Sequence, residues 1–205
     1  MHLTIESPGA VTWVAGGLRL DSRVTIASDP NPHVGRAISM SGEFTLEIWV
    51  TPLDTTQGID PPDAGGLDFA SVVQASGSIA SNSAMITQIG DRWAGRSRTT
   101  ATTADASPEI AAVSGSVTTG AVTQLALVTS TSTRTLYVNA AAHSSTPNAA
   151  GAAVWDESYK IRIGDAINYD RQWRGTVWYM AIYDRALTPQ QIMTNREAGI
   201  DCSGC

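Results

Sequence analysis

Glu43 and Glu47 stand four residues apart in "EFTLEIW", and a carboxylate pair is what glycoside hydrolysis uses, one residue as nucleophile and one as acid. On a strand that spacing puts both on one face but about 13 Å apart, beyond the roughly 5–5.5 Å of a retaining pair. The two therefore read as surface carboxylates near the start of a strand. His2, His33 and His143 are isolated from one another and from clustered carboxylates, which gives no metal-ligand spacing. Neither a Gly-x-Ser-x-Gly elbow nor a phosphate-cradling glycine loop occurs. The expected class is a non-enzyme.

Recognition chemistry is better represented. Sugars are met by aromatic faces with planar donors and carboxylates on loops. Trp93, Arg96 and Arg98 in "DRWAGRSR" make one such cluster. A second joins Trp155 and Asp156 in "VWDESY" to Asn168, Tyr169, Asp170, Arg171 and Trp173 in "NYDRQW". Packing is the competing reading for Trp93, Trp155 and Trp173. The cysteines, Cys202 and Cys205, form "CSGC" at the C-terminal end. Covalent haem attachment requires Cys-x-x-Cys-His, so haem c enters only if a histidine follows Cys205 in a longer chain. A small disulfide loop is the simpler expectation.

These residues sit in a chain of 205 residues with a formal net charge of −6 and a single lysine, Lys160, among 13 basic residues. Without a basic stripe to neutralise phosphates, nucleic acid is not an expected partner. No apolar run approaches the roughly 20 residues that span a bilayer, so membrane insertion is not expected. The opening "MHLTIESPGA" lacks the charged and apolar regions of a signal peptide. An exported form would have lost its signal, or the chain is a segment of something larger.

The elements that must position the candidate residues are short β-like runs separated by turn residues. "EFTLEIWVTP" alternates, with Phe44, Leu46, Ile48 and Val50 on one face and Thr45, Glu47 and Trp49 on the other. "DPNPHVGRAISMSG" reads as a connection rich in turn signals. "QLALVTSTSTRTLYVNAA" reads as a hairpin turning near Ser130 to Thr133. In "GTVWYMAIYD" alternation sends Trp178 and Tyr179 to opposite faces. One helix is expected, from about Pro189, with Thr188 as N-cap, Gln191 completing a capping box and Gly199 as the stop. The pattern predicts an all-β, two-sheet antiparallel sandwich or jelly roll with one short C-terminal helix. A single domain over residues 1–200 is expected, with 201–205 as a tail.

Three segments taken in order carry a family resemblance. They are Phe44, Thr45, Trp49 and Val50; then Leu136, Tyr137 and Val138; then Ile163, Gly164, Trp173, Gly175, Ile182, Tyr183, Arg185, Ala186 and Leu187. Together they resemble the concanavalin A-like lectin/glucanase superfamily, most of all its laminin-G-like jelly-roll branch. "QIGDRWAGRSRTT" is similar to a bacterial subgroup. The resemblance implies structural roles for Trp49, Trp173, Gly175, Tyr183, Arg185 and Leu187, with Arg185 satisfying carbonyls or a carboxylate at the corner and Leu187 plugging the sandwich edge. The catalytic Glu-x-Asp-x-x-Glu strand of the superfamily's glycosidases is absent.

Many relatives hold a structural Ca²⁺ with Asp-Asp where this chain has Trp178 and Tyr179, neither of which offers a carboxylate. Any Ca²⁺ is therefore expected to bind weakly, with Asp21, Asp29, Asp91 and Asp165 as an alternative ligand set. "VNAA" replaces the family's Val-Asp-Gly, which implies a different turn at Ala140. The function implied is non-catalytic recognition or adhesion at an extracellular or cell-surface location, with a glycan or a protein as partner. Alternatives are a structural or decorating subunit of a filament, sheath or virion, with homo-oligomers in view, and an accessory domain of a larger redox or hydrolytic protein.

Overall fold

The computed structural model describes residues 2–58, 69–78, 80–145, 151–166 and 171–200. Along the chain its elements are β1 (Leu3–Ile5), β2 (Val11–Val14), β3 (Gly17–Leu20), β4 (Ile26–Ser28), α1 (Pro32–Ser41), β5 (Phe44–Pro52), β6 (Ala70–Ser78) and β7 (Ser81–Ile89). They continue with β8 (Arg92–Ser97), β9 (Ile110–Ala111), β10 (Thr123–Thr129), β11 (Arg134–Val138), β12 (Ala141–Ser145), β13 (Lys160–Ile163), β14 (Gly175–Tyr183) and α2 (Pro189–Ala198). The strands form two seven-stranded sheets, ordered β1-β4-β13-β6-β7-β8-β9 and β12-β11-β10-β5-β14-β3-β2. Their pairings are antiparallel.

Alternation in β5 explains the stacking. Phe44, Leu46, Ile48 and Val50 turn inward and are fully buried. They share one core with Ile86, Trp93, Ile161 and Ile163 of the first sheet. Each such side chain contributes about 1.5–3 kcal/mol relative to exposure. The outer face of the second sheet is covered in part by α2, where Leu187 and Ile192 pack with Ala126, Val128, Tyr137 and Ala140. That helix begins as its sequence predicts. Thr188 Oγ1 accepts from Gln191 N at 3.2 Å, and Gln191 Oε1 accepts from Thr188 N at 2.9 Å.

Three local features differ from expectation. The segment taken for a connection contains a helix, α1, so the described residues hold two α-helices where one helix was expected. Asn31 Oδ1 caps it by accepting from Val34 N at 3.2 Å. Pro32 opens it, and Gly42, at φ 69°, closes it. The Asn-Pro pair that reads as a turn is equally an N-cap followed by a first helical proline.

The turn between β11 and β12 stays tight without a glycine, contrary to the different turn expected. Asn139 and Ala140 both adopt positive φ, 51° and 66°, as a two-residue hairpin turn demands. Asn139 is held there by Oδ1 accepting from Gln124 N at 3.0 Å.

The third feature is a bulge in β14. Val177 pairs with Val50, but the next pair is Tyr179 with Trp49, which leaves Trp178 as an extra residue. Trp178 and Tyr179 therefore do not lie on opposite faces. Tyr179 stands opposite Trp49, and Trp178 Nε1 donates to Thr51 Oγ1 at 2.8 Å on that same outer face. Among the described residues no helix is long and apolar enough to cross a membrane.

Candidate functional site

On the outer face of the first sheet, strand pairing aligns Arg162, Gln74, Met85 and Arg96 in one row. Arg96 forms ion pairs with Asp105 at 3.2 Å and Glu109 at 3.6 Å. Its guanidinium lies 5.8 Å from the Phe69 ring centroid, and that of Arg171 lies 4.1 Å from the same centroid. Two arginines from separate sequence clusters thus converge on one ring. Both are closed off from solvent, at 8% and 7% exposure. Arg171 N donates to Asp165 Oδ1 at 3.1 Å, and Asp165 also accepts from Ala166 N and from Arg23 Nε. Burial pushes the Asp165 carboxyl above its ordinary value despite these bonds.

Other residues predicted to bind ligand are dispersed. Trp93 is fully buried in the core, and Trp155 packs edge-on against Phe44 with centroids 5.4 Å apart. The inward register of β8 buries Trp93, and the Phe44 contact packs Trp155, which also lines a cavity of about 130 Å³ with Asn31, Val34 and Tyr159. Trp173 is also buried, with Nε1 donating to Gln88 Oε1 at 2.8 Å. Arg98 is half-buried on the strand side, where its backbone bridges Ser83 and Val154. Asp156 accepts from Ser158 in a local turn. Asn168, Tyr169, Asp170, Cys202 and Cys205 lie outside the described residues.

The four aspartates do not assemble. Asp21 pairs with Arg19 and Thr12, Asp91 braces Ser114 and Gly115, Asp165 organises the chain leading to Arg171, and Asp29 is exposed. Among the described residues no three His, Cys, Asp or Glu side chains come together as a metal site.

The outer face of the second sheet holds a different constellation. Glu47 is fully buried, a correction to its reading as a surface carboxylate. Its Oε1 accepts from Trp49 Nε1 at 3.1 Å and Gln124 Nε2 at 2.7 Å. Its Oε2 accepts from Tyr183 OH at 3.2 Å and Asn195 Nδ2 at 2.7 Å. Covering this face with α2 removes water, and these donors replace it, as a buried charge requires. Burial, reinforced by the Glu47 charge, raises the Tyr183 phenol above its usual range, so it stays a neutral donor.

Above this carboxylate lies a cleft of about 290 Å³, lined by Trp49, Trp178, Tyr179, Tyr183 and Asn195 with the last turn of α2 and Gly199. That is close to the lower bound of about 300 Å³ for small-molecule sites. Trp178 crosses the sheet here. Its Nε1 is fixed to Thr51 on β5, and its Cε3 would lie 2.6 Å from any Cβ at position 17 on β3. Only glycine at 17 lets the indole lie across β14 in this way. Tyr179 beside it is 47% exposed. Two arginines stand at the rim, Arg196 5.2 Å over Trp49 and Arg185 5.9 Å over Tyr183.

Among the described residues no carbonyl or carboxylate bonds the Arg185 side chain, the role that its corner position implied; its guanidinium lies over the Tyr183 ring instead. Thr45 takes that role: its Oγ1 donates to Arg185 O and accepts from Leu187 N, both at 2.9 Å. Leu187 is buried against the outer face of the sheet.

Trp178, Tyr179 and Asn195 were missed as site residues. The available signal was in "VWYMAIY", where removing one aromatic restores strict alternation. That is the signature of an inserted strand residue.

Several solved structures share the architecture. A Trypanosoma rangeli sialidase in complex with 2,3-difluorosialic acid superposes with a TM-score of 0.67 at 17% identity, covering 94% of this chain and 29% of its own. A structure of botulinum neurotoxin type C, whose cell entry depends upon interaction with two ganglioside molecules, gives 0.68 at 10% identity, covering 96% and 46%. Domain 4 of AbnA, a GH43 extracellular arabinanase from Geobacillus stearothermophilus, in complex with arabinotriose, gives 0.57 at 17% identity, covering 87% and 75%. The chain thus spans less than half of the sialidase and of the toxin. At these identities the likeness is one of fold. No curated protein sequence matches the chain. Residues 21–193 match the family described as the concanavalin A-like lectin/glucanases superfamily. With two stacked antiparallel sheets and a match over most of its length, the chain belongs to that superfamily.

Proposed function

We propose that this domain is a non-catalytic glycan-binding module, acting outside the cytoplasm, whose ligand sits in the Trp178–Tyr179 cleft. One observation carries the reading: an indole laid across three strands, fixed by its N–H and flanked by an exposed tyrosine, over a hydrogen-bonded carboxylate network. Aromatic rings stack on the apolar faces of sugar rings, and Asn195 supplies a planar polar group beside them. Glu47 accepts from four protein donors, so its place is to fix Trp49, Tyr183 and Asn195 and not to attack a glycosidic bond. That the arabinanase domain was solved with arabinotriose supports a glycan as ligand class.

The test is a glycan array with wild type, Trp178→Ala and Tyr179→Ala. Selective signals lost in both variants, with unchanged melting temperature, are expected. Retention of the same signals in both would move the site elsewhere.

A second reading, a structural module making protein contacts, draws on one observation: Trp13 is 75% exposed on β2, an edge strand of the second sheet. Concentration-dependent assembly without any glycan response is the outcome that selects it.

A further inference from the structure

We infer that the open edge of β14 is a strand-addition site, which takes an extended peptide segment of a partner protein as an added strand of the second sheet. It goes beyond the glycan reading and does not depend on it, so either can fail alone.

The register leaves the edge open. Among the described residues β3 pairs with β14 only at Gly175, Thr176 and Val177, because β3 begins at Gly17 where the chain turns in from β2. Beyond that point β14 runs on from Tyr179 to Tyr183 with β5 on one side and no described strand on the other. That stretch is about 13 Å long at the usual rise per residue.

Hydrogen-bond parity shows which backbone groups face the opening. Leu53 N donates to Arg174 O at 3.1 Å, whereas Pro52 O turns the other way and accepts from Gly120 N at 3.2 Å. Residues of an antiparallel strand address their two neighbours by turns. Counted along β5, Trp49, Glu47 and Thr45 therefore bond towards β14, and their partners Tyr179, Ala181 and Tyr183 face β5. Met180 and Ile182, between them, turn their N–H and C=O groups to the open side. Nothing from Tyr179 to Tyr183 is charged or a proline, the devices that normally protect an exposed edge.

Two hollows follow the same edge between the sheets. One, of about 310 Å³, has Leu18, Val177 and Met180 of the second sheet facing Leu3, Ile26 and Ile163 of the first. The next, of about 130 Å³, has Met180 and Ile182 facing Ile161, Trp155 and Val34. Met180 borders both. Tyr179 and Ala181 stand opposite Trp49 and Glu47 on the outer face, yet each borders one of these inner hollows, so the hollows reach round to the strand's edge. Val177, Met180 and Ile182 are only half-buried, although they face inward on an interior strand. A strand added in line with β3 would bond Met180 and Ile182 and send alternate side chains into the hollows. No described Asp, Glu, Lys, Arg or His borders either hollow, so those side chains are apolar. An acyl chain would fill the same space but leave the backbone groups without partners.

The experiment has two arms, both on the full chain. In amide hydrogen exchange followed by NMR, Met180 and Ile182 should exchange at least about tenfold faster than Ala181 and Tyr183. Capped heptapeptides alternating threonine with valine, isoleucine, leucine or phenylalanine are then titrated by calorimetry. At least one should bind with a Kd below about 1 mM and slow exchange at Met180 and Ile182. N-methylation of that peptide, one position at a time, should abolish binding at alternate residues only, the period of a strand ladder. Met180→Lys, which points a charge into both hollows, should abolish binding; if that variant does not fold, the N-methylation series decides.

Equal protection of the four amides in the free protein would mean that the edge is already covered, and would overturn the site. Failure of all four peptides would do the same. Binding indifferent to N-methylation would assign the hollows to apolar side chains without strand pairing, and would also overturn it.

Discussion

Replacing the Glu47 carboxylate by an amide would set an NH₂ group against the donors of Asn195, Gln124 or Trp49, each of which now has an oxygen to bond. A buried donor left unmatched costs about 1–3 kcal/mol, so Glu47→Gln should lower unfolding free energy by that amount in urea titration. A loss below about 0.5 kcal/mol would mean that water reaches the carboxylate in solution. Leu187 makes the complementary case without polar atoms. Leu187→Ala should cost about 2–5 kcal/mol, because the side chain is buried against Ala126, Val128 and Ile192. Ligand affinity per folded molecule should not change. Glu47 was misread from sequence because its partners Gln124, Tyr183 and Asn195 stand 77, 136 and 148 residues away. Alternation told which face Glu47 occupies but not that a helix covers that face.

At the scale of elements, what was legible followed from local chemistry. The capping box at Thr188 placed α2 at Pro189, and the alternation of β5 gave the inward face, because both signals lie within a few residues. α1 was missed because Asn-Pro carries two local meanings, and burial of Ile38 in the shared core decides between them. The predicted binding clusters were contiguous in sequence, but a strand sends neighbours to opposite faces. Trp93 went inward while Arg96, three residues on, went outward to Phe69.

The loop carrying Asp105 yields a prediction with a sign. Burial alone would raise its carboxyl, but bonds from Thr103 and Ser107 and the nearby Arg96 charge outweigh that and hold it below its ordinary 3.8. A carboxyl depressed in the folded state adds stability above its unfolded value and loses it as pH falls through the folded one. The urea midpoint should therefore drop below about pH 4, and Asp105→Asn should flatten that slope. An identical acid limb in the variant would remove Asp105 as a cause. Asp165, raised by burial, acts in the opposite sense and tempers the fall.

For the whole molecule, the order of segments from Phe44 to Leu187 was enough to place the chain in its superfamily, because the two-sheet topology fixes that order. Ligand preference was not readable in the same way, since it depends on which rings the sheets leave outside. The same holds for ions. Where the resemblance implied paired aspartates, this chain has Trp178, bonded to Thr51, and Tyr179, opposite Trp49. We expect folding to be independent of Ca²⁺: melting in EDTA and in millimolar Ca²⁺ should differ by less than about 8 °C. A larger shift would correspond to more than roughly 2 kcal/mol of linkage for a chain of this size and would require a metal site.

The extra residue in β14 has one more consequence. Read without Trp178, the strand runs Val177, Tyr179, Met180, Ala181, Ile182, Tyr183, a faultless in-and-out sequence whose inward members already pack on the core. The indole is therefore a graft on a strand that is complete without it. Excising that single residue, rather than substituting it, should yield a chain that still folds cooperatively, with the pairing of β14 to β5 now continuous. It should fail only at the surface where Trp178 lay. If the deletion variant instead aggregates or melts without a cooperative transition, the indole is part of the scaffold. If it folds, architecture and recognition in this protein are separable by one codon.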